Sequence, residues 1–241
     1  MFHSLAERSH EPELMDLPDS DELRLLRTVR QFGLINSLLT RSKALLKQHV
    51  VRDMLRRPQN CFSLLDLGSG GCDIGRWLAR YVARNSKKQL RVTCLDHDSR
   101  VYSYARAKCA DTPGVEVVLG SARDLDRLPR YDYIFANHFL HHLTNDRLTG
   151  MLELICRRAR YLFIINDLLR SPLSYVGYSL FAAAFLHRSF AGYDGKLSIR
   201  KGFLPDELRA LLTGISCVWA IKVQTRFPGR VFLVGRRRRT Q

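Results

Sequence analysis

An apolar segment that ends in a glycine-rich turn constrains the fold more than any other part of the sequence. The segment Leu64–Leu67 runs into Gly68, Gly70 and Gly71, and a helical pattern begins at Asp73. Glycine permits a positive φ and lets a ligand approach the backbone closely. The helix that follows points unpaired N–H groups into the same space. This order predicts a βα unit with a nucleotide-binding crevice at the carboxyl end of the strand.

Short β-rich segments alternate with amphipathic helical stretches from residue 61 onward. This alternation predicts an α/β fold, with a mostly parallel sheet and helices on both faces. The predicted strands are Phe62–Leu67, Leu90–Leu95, Val115–Leu119, Tyr131–Asn137, Tyr161–Asn166, Ile215–Gln224 and Arg230–Gly235. Helices are predicted at about 73–85, 99–110, 144–158 and 205–213. Only a short turn around Pro228 separates the last two strands, so they should form an antiparallel hairpin at the sheet edge.

The remaining segments flank this unit. Apolar residues recur at helical spacing up to Leu55, so we expect two or three helices within an N-terminal helical extension, residues 1–60. Asp19 and Glu22 have the spacing of a capping box before the first helix. The main domain should cover 61–235 and be followed by a basic tail, 236–241. This tail is either a solvated end or a segment that contacts nucleic acid or an anionic membrane.

Pro172–Leu186 contains no charged residue and is shorter than the roughly 20 residues that a membrane span needs. It lies within a predicted helical substrate-lid insertion, 170–200. Three roles remain open for it: a buried helix, a lid over an apolar pocket, or a helix that docks on a membrane surface.

Composition narrows the class of protein without specifying its chemistry. The chain has 241 residues and a net charge of +16, of which residues 151–241 carry +11. Such a field favours anionic partners. The six cysteines include no C-x-x-C pair, which disfavours a structural zinc site. The N-terminus lacks the apolar core of a signal peptide, and no segment predicts a transmembrane helix, so a cytoplasmic protein is expected.

An acid at the end of the second predicted strand strengthens the prediction of a nucleotide site. A carboxylate at Asp96 can accept hydrogen bonds from both hydroxyls of a ribose. The structural alternative is a sharp βα turn with a capping acid. A dinucleotide fold would favour G-x-G-x-x-G, whereas here an acid, Asp66, stands two residues before Gly68, and Gly70 follows.

The Asp66-x-Gly68-x-Gly70 pattern resembles motif I of the class I S-adenosylmethionine-dependent methyltransferases, and the resemblance covers about residues 61–235. It implies a Rossmann-like, seven-stranded, mostly parallel sheet with an antiparallel last strand. It also implies S-adenosyl-L-methionine as cofactor, S-adenosyl-L-homocysteine as product and no metal. The cofactor-binding residues implied in this way are Asp66, Gly68, Ser69, Gly70, Asp73, Asp96, His97, Ser121, Ala122, Arg123, Asn137 and His138. The family's third glycine is Cys72 here, and Ser121 stands near the position of an acid that often meets the adenine.

The fourth strand leads into Asn137–Thr144, which resembles the "LHHL" signature of methyltransferases acting on small molecules. A neutral imidazole can accept a proton from a hydroxyl nucleophile, so His141 and His142 are the first candidates for a catalytic base. Asp167, at the end of the fifth strand, and His138 are further catalytic candidates. A role in capping or packing is the alternative for His141, for His142 and for Asp167.

Segments 165–171 and 193–200, together with Glu13–Asp16, resemble methyltransferases often encoded beside type III polyketide synthases. This implies O-methylation of a small phenolic or polyketide-derived acceptor in secondary metabolism, by direct displacement. One alternative is an RNA methyltransferase that uses the basic C-terminal third, although no RNA-binding signature is present and a nucleic-acid partner is disfavoured. The other is a non-catalytic cofactor-binding partner subunit. A homodimer is possible.

Overall fold

The computed structural model describes residues 5–215 and 219–238 and contains one seven-stranded sheet. The strands are β1 (Cys61–Leu67), β2 (Gln89–Asp96), β3 (Val115–Leu119), β4 (Tyr131–Asn137), β5 (Ala159–Leu168), β6 (Trp219–Arg226) and β7 (Arg230–Arg237). Their order is β3-β2-β1-β4-β5-β7-β6, and β7 runs antiparallel to both β5 and β6. The predicted seven-stranded α/β sheet with its edge hairpin is therefore confirmed. The first residues predicted for β6 include 216–218, which lie outside the described part of the chain.

The helices are α1 (Glu22–Leu38), α2 (Ser42–Leu46), α3 (Arg52–Leu55), α4 (Asp73–Asn85), α5 (Ser99–Cys109), α6 (Asn145–Arg158), α7 (Pro172–Phe185), α8 (Ala191–Lys201) and α9 (Pro205–Thr213). A π-helical turn joins α2 to α3, and short 3-10 helices occur at Leu14–Asp16, Ala122–Arg127 and Leu140–His142. The four helices predicted after residue 61 are confirmed. The predicted Asp19–Glu22 capping box is wrong, because the carboxylate of Asp21 accepts the hydrogen bond from the N–H of Arg24 at 2.7 Å.

The sheet is apolar on both faces, as expected for parallel strands that are covered by helices. On one face, Phe62 and Leu64 of β1 pack with α2, α4 and the π-helical turn. On the other face, Leu65 and Leu67 pack with α6 and α9. β1 lies between β2 and β4 in the sheet. From β1 the strand order runs through β2 to β3 on one side, and through β4 to β5 on the other side, so the strand order reverses at β1. The carboxyl ends of β1 and β4 therefore flank the crevice in which open α/β sheets bind ligands.

A further layer covers the carboxyl ends of the strands. Ile35 of α1 packs against Ala182 of α7 and Ala191 of α8. The chain before α1 is held down by the fully buried Arg170, whose guanidinium donates to the carbonyl oxygens of Leu5 (2.9 Å) and Ala6 (3.1 Å) and pairs with Glu207. Arg170 thus fixes the backbone at Leu5 and Ala6.

The α7 helix is not buried, so the interpretation of Pro172–Leu186 as a buried helix is wrong. One side of α7 packs on α1, but several large apolar side chains on the other side are exposed. Within residues 5–215 and 219–238, no helix is both long enough and apolar enough to cross a membrane. The domain division at residue 60 and the lid role of 170–200 stay predictions.

The hairpin end of the sheet depends on a glycine without space for a side chain. A Cβ added at Gly235 of β7 would stand 2.2 Å from the ring of Phe163, which is fully buried and packs on Trp219. We expect Gly235→Ala to lower the free energy of unfolding by about 1–3 kcal/mol. The matched control is Gly150→Ala in α6, where an added Cβ meets open space. That substitution should raise the free energy of unfolding by about 0.5–1 kcal/mol. Denaturant unfolding checks both values, and equal effects would contradict this packing.

Candidate active site

A cavity of about 620 Å³ lies at the carboxyl ends of β1, β2 and β4, beneath α1 and α8. Its volume is within the roughly 300–1,000 Å³ range of small-molecule sites. Predicted site residues that line it are Asp66, Gly68, Ser69, Gly70, Asp73, Asp96, His97, Ser121, Ala122, Arg123, Asn137, His138, His141 and His142. The structure thus brings together residues from four segments that are far apart in the sequence. Asp167 does not line the cavity and lies behind His141.

The glycine-rich turn forms one wall and is fastened to the end of β2. Gly68 and Gly70 have φ values of +65° and +52°, which favour glycine. The N–H groups of Gly68 and Ser69 donate to the carbonyl of Leu95, at 2.9 and 3.1 Å. The N–H of Gly70 donates to Oδ2 of Asp96 at 2.8 Å. Asp96 therefore shapes the loop and also borders the cavity. Cys72, in the position of the family's third glycine, has a φ of +56°, a left-handed conformation that few residues other than glycine adopt.

Three carboxyl groups concentrate negative charge beside this loop. Burial raises the pKa of Asp66 well above its usual value, and the nearby Asp73 and Asp96 raise it further. Burial also raises the pKa of Asp73, although its carboxylate accepts hydrogen bonds from the amide of Asn36 at 3.0 and 3.2 Å. This end of the cavity therefore favours a ligand that carries positive charge and hydroxyl donors.

The cavity floor contains a network of amides around Asn137. Its Nδ2 donates to Oδ1 of Asn36 at 3.0 Å, and its Oδ1 accepts from Asn166 at 3.0 Å. The buried guanidinium of Arg230 reaches this network and donates to Nε2 of His138 at 3.1 Å. Burial and the charge of Arg230 hold the pKa of His138 well below its usual value. That nitrogen already accepts a hydrogen bond from Arg230 and is not free to take a proton.

His141 stands between two buried carboxylates. Its Nδ1 lies 2.6 Å from Oδ1 of Asp167, and its Nε2 lies 3.6 Å from Oε1 of Glu13. Burial opposes a charge on the ring, but Asp167 and Glu13 outweigh it and raise the pKa of His141 to about 9. The carboxyl of Asp167 has a lowered pKa despite its burial, because His141 and Arg230 stabilise the carboxylate. The arrangement is a buried imidazole with a carboxylate on each side.

Glu13 was not predicted as a site residue. It is buried, and its Oε1 accepts hydrogen bonds from Ser198 at 2.9 Å and from Lys201 at 3.3 Å. Burial opposes its ionisation, but His142, His141 and Lys201 hold the pKa of Glu13 low. Its segment was noted only for a family resemblance, and nothing in the sequence pairs it with a histidine 128 positions later.

His142 is exposed, and its Nδ1 lies 3.0 Å from Oδ2 of Asp16. Glu13, His141 and His142 each offer one possible metal-ligand atom, and these atoms lie within 4.8 Å of one another. The ammonium of Lys201 already supplies positive charge to Glu13. The predicted lack of a metal stays a prediction.

The sequence and the fold were then compared with known proteins. Residues 64–160 match the family model described as "Methyltransferase domain". No curated protein matches the chain. The family match and the fold together support the predicted class I S-adenosylmethionine-dependent methyltransferase family, whereas the polyketide-associated subgroup stays a prediction.

Solved methyltransferases share the fold over most of the chain. Magnesium protoporphyrin IX methyltransferase from Synechocystis PCC 6803, crystallised with bound SAM, is 13% identical over 87% of this chain and 82% of its own, with a TM-score of 0.56. The CurJ carbon methyltransferase is 13% identical over 90% and 61%, with a TM-score of 0.65. Human N-acetylserotonin methyltransferase in complex with SAM is 14% identical over 95% and 63%, with a TM-score of 0.63. At these identities the similarity establishes the Rossmann-like methyltransferase fold.

The environment of His141 makes a titration prediction. We expect its imidazole to titrate near pH 9, and we expect Asp167→Asn to lower that pKa by more than about one unit. Because the folded-state pKa exceeds the unfolded value of about 6.5, the associated stability is complete below about pH 6.5 and is lost as the pH rises through about 9. NMR titration of labelled histidines measures the pKa, with the exposed His187 as internal control. A wild-type pKa at or below 6.5 would contradict the charged triad.

Proposed function

We propose that this chain is an S-adenosylmethionine-dependent methyltransferase that methylates a hydroxyl group of a small phenolic or polyketide-derived acceptor. The observation that carries this proposal is His141, held between Asp167 and Glu13 in the wall of the cavity that the glycine-rich turn also borders. A cofactor loop and an oriented base thus share one enclosed space.

The residues of the loop end suit S-adenosylmethionine. This cofactor carries an ammonium group and a sulfonium group. The carboxyl groups of Asp66, Asp73 and Asp96 border the cavity and would stabilise such positive charges. Asp96 has a position from which it can accept the ribose hydroxyls. When bound, the cofactor supplies a methyl group on positively charged sulfur. Two of the solved neighbours, the magnesium protoporphyrin and N-acetylserotonin methyltransferases, contain SAM, which supports this choice.

The base can act through a defined atom. Asp167 holds the Nδ1–H of His141, so Nε2 is the nitrogen that would take the proton of the acceptor hydroxyl. Asp167 and Glu13 stabilise the imidazolium that forms. General-base catalysis of this kind contributes about 10²–10⁴-fold. Since the ring is protonated at neutral pH in the empty site, it must lose a proton before it can act, and turnover should rise with pH.

The rest of the cavity suits an apolar acceptor. Its lining includes Ile35, Met151 and Tyr178. An enclosed cavity with apolar walls fits an aromatic small molecule, and holding two reactants there in line supplies much of the acceleration. His142, paired with Asp16, is placed to orient the acceptor rather than to replace His141 as base.

The acceptor class is tested with isotopically labelled methyl donor and a panel of phenols, resorcinols and quinols, with mass spectrometry and NMR of the products. We expect a methyl ether from at least one phenol and a kcat that rises with pH to a plateau above about pH 9. His141→Gln should lower kcat by about 10²–10⁴-fold. The control His187→Gln, on an exposed side chain outside the cavity, should leave kcat unchanged. Products methylated only on ring carbon would contradict the hydroxyl acceptor, and full activity of His141→Gln would contradict the base.

Cofactor binding is tested at Asp96. The Asp96→Ala substitution removes the proposed ribose acceptor and also the anchor of the Gly70 N–H. We expect the affinity for S-adenosyl-L-homocysteine to fall about 100-fold in calorimetry. Asp206→Ala, an exposed acid at the start of α9, is the matched control and should keep wild-type affinity. Unchanged affinity in Asp96→Ala would remove Asp96 from the cofactor site.

A further inference from the structure

The outer face of α7 is apolar along its whole length. Leu173, Val176 and Leu180 are 73%, 49% and 69% exposed, and they recur at helical spacing. Gly177, Ala183 and Ala184 complete the exposed stripe, so it has no polar side chain. A surface helix normally places polar residues toward solvent, and a continuous exposed apolar stripe marks an interaction surface.

The inner face of α7 belongs to the cavity wall. Tyr178 borders the cavity, and its hydroxyl donates to the carbonyl of Ala191 at 2.7 Å. Ala182 packs on Ile35 of α1. A single helix therefore separates the cavity from the apolar stripe.

The segments around the stripe contain basic residues and no acids. There is no Asp or Glu between Glu22 and Asp53, between Asp167 and Asp194, or after Glu207. These stretches include α1, which packs on α7, and the β6–β7 turn, where Gly229 lies against Ser174.

Basic groups mark both ends of the stripe. Arg188 is exposed just after α7. At the other end, the guanidinium of Arg41 donates to the carbonyl of Phe227 at 3.4 Å, and the Phe227 side chain is 73% exposed. The neighbouring helix α8 contains an acid, Asp194, but it is buried. An apolar stripe with cationic ends and no exposed acid in these segments has the chemistry of a helix that lies in the headgroup layer of an anionic bilayer.

We propose that the outer face of α7 docks on an anionic lipid bilayer. Leu173, Val176 and Leu180 enter the boundary between headgroups and acyl chains, and Arg41 and Arg188 meet anionic headgroups. A second copy of this chain is a poorer occupant, because two such faces would bring like charges together. Docking would place the cavity one helix away from the acyl chains, so an apolar acceptor could be drawn from the membrane.

The test is co-sedimentation of the full chain with vesicles of phosphatidylcholine, alone or with about 30% phosphatidylglycerol. We expect binding to the anionic vesicles, weaker binding to the neutral ones, and a loss of binding at about 0.5 M salt. Leu180→Ser should lower the partition coefficient about tenfold. Arg188→Gln should lower binding to the anionic vesicles only.

The matched control is Leu55→Ser, an equally apolar exposed leucine beside Asp53 on α3, which should bind as wild type does. Circular dichroism and thermal unfolding confirm that each variant is folded. Absence of binding to anionic vesicles, or equal binding of wild type and Leu180→Ser, would overturn the proposal. A dimer in light scattering that Leu180→Ser dissociates, without vesicle binding, would assign the face to a second copy instead. Vesicle binding needs no methyl donor, so its failure is distinct from a failure of the proposed function.

Discussion

The hydrogen-bonded pair of His141 and Asp167 is the interaction on which the arrangement of the site depends. It joins the turn after β4 to the end of β5 in a space without water contact, where an unpaired charge would be strongly destabilising. Glu13 and Lys201 extend the pair into a chain of alternating charges, and Arg230 approaches from β7. The charge of His141 stabilises the carboxylates of both Asp167 and Glu13. The network therefore directs each ring nitrogen of His141 to a carboxylate and ties Glu13 to the end of the sheet.

The conformation of the glycine-rich turn depends on contacts other than the His141–Asp167 pair. Its conformation is set by the end of β2, because the carbonyl of Leu95 and the carboxylate of Asp96 accept the N–H groups of the turn. The loop is thus formed before any ligand arrives, which reduces the ordering cost of binding. The excess of carboxyl groups there is unfavourable in the empty protein and becomes favourable only beside a cation. An arrangement of like charges that is unfavourable without a ligand and favourable beside a ligand of opposite charge is typical of functional sites.

Local patterns account for the parts of the molecule that the sequence predicts well. The strands were located because buried parallel strands are short apolar runs bounded by turns, and Gly68 and Asp96 stood out because strand ends converge on one crevice. Glu13, Asn36 and Arg230 were missed because their roles arise from packing between segments that are distant in the sequence. The N-cap of α1 was predicted two positions too early, because several acidic residues stand close together there. In the structure the N-cap is Asp21, whose side chain accepts a hydrogen bond from the N–H of Arg24. The exposure of α7 could not be inferred either, since an uncharged helix looks the same whether it is buried or not.

The segment before α1, which Arg170 holds in place and which contains Glu13, supplies part of the cavity wall. The turn after β1 and the acid after β2 arise within one continuous βαβ unit, whereas the far wall is completed by residues that precede the sheet in the chain. The end of the cavity at the glycine-rich turn and the end at His141 are consequently built from separate pieces of polypeptide. Substitutions in the segment before α1 can then change the His141 end of the cavity and leave the glycine-rich turn as it is.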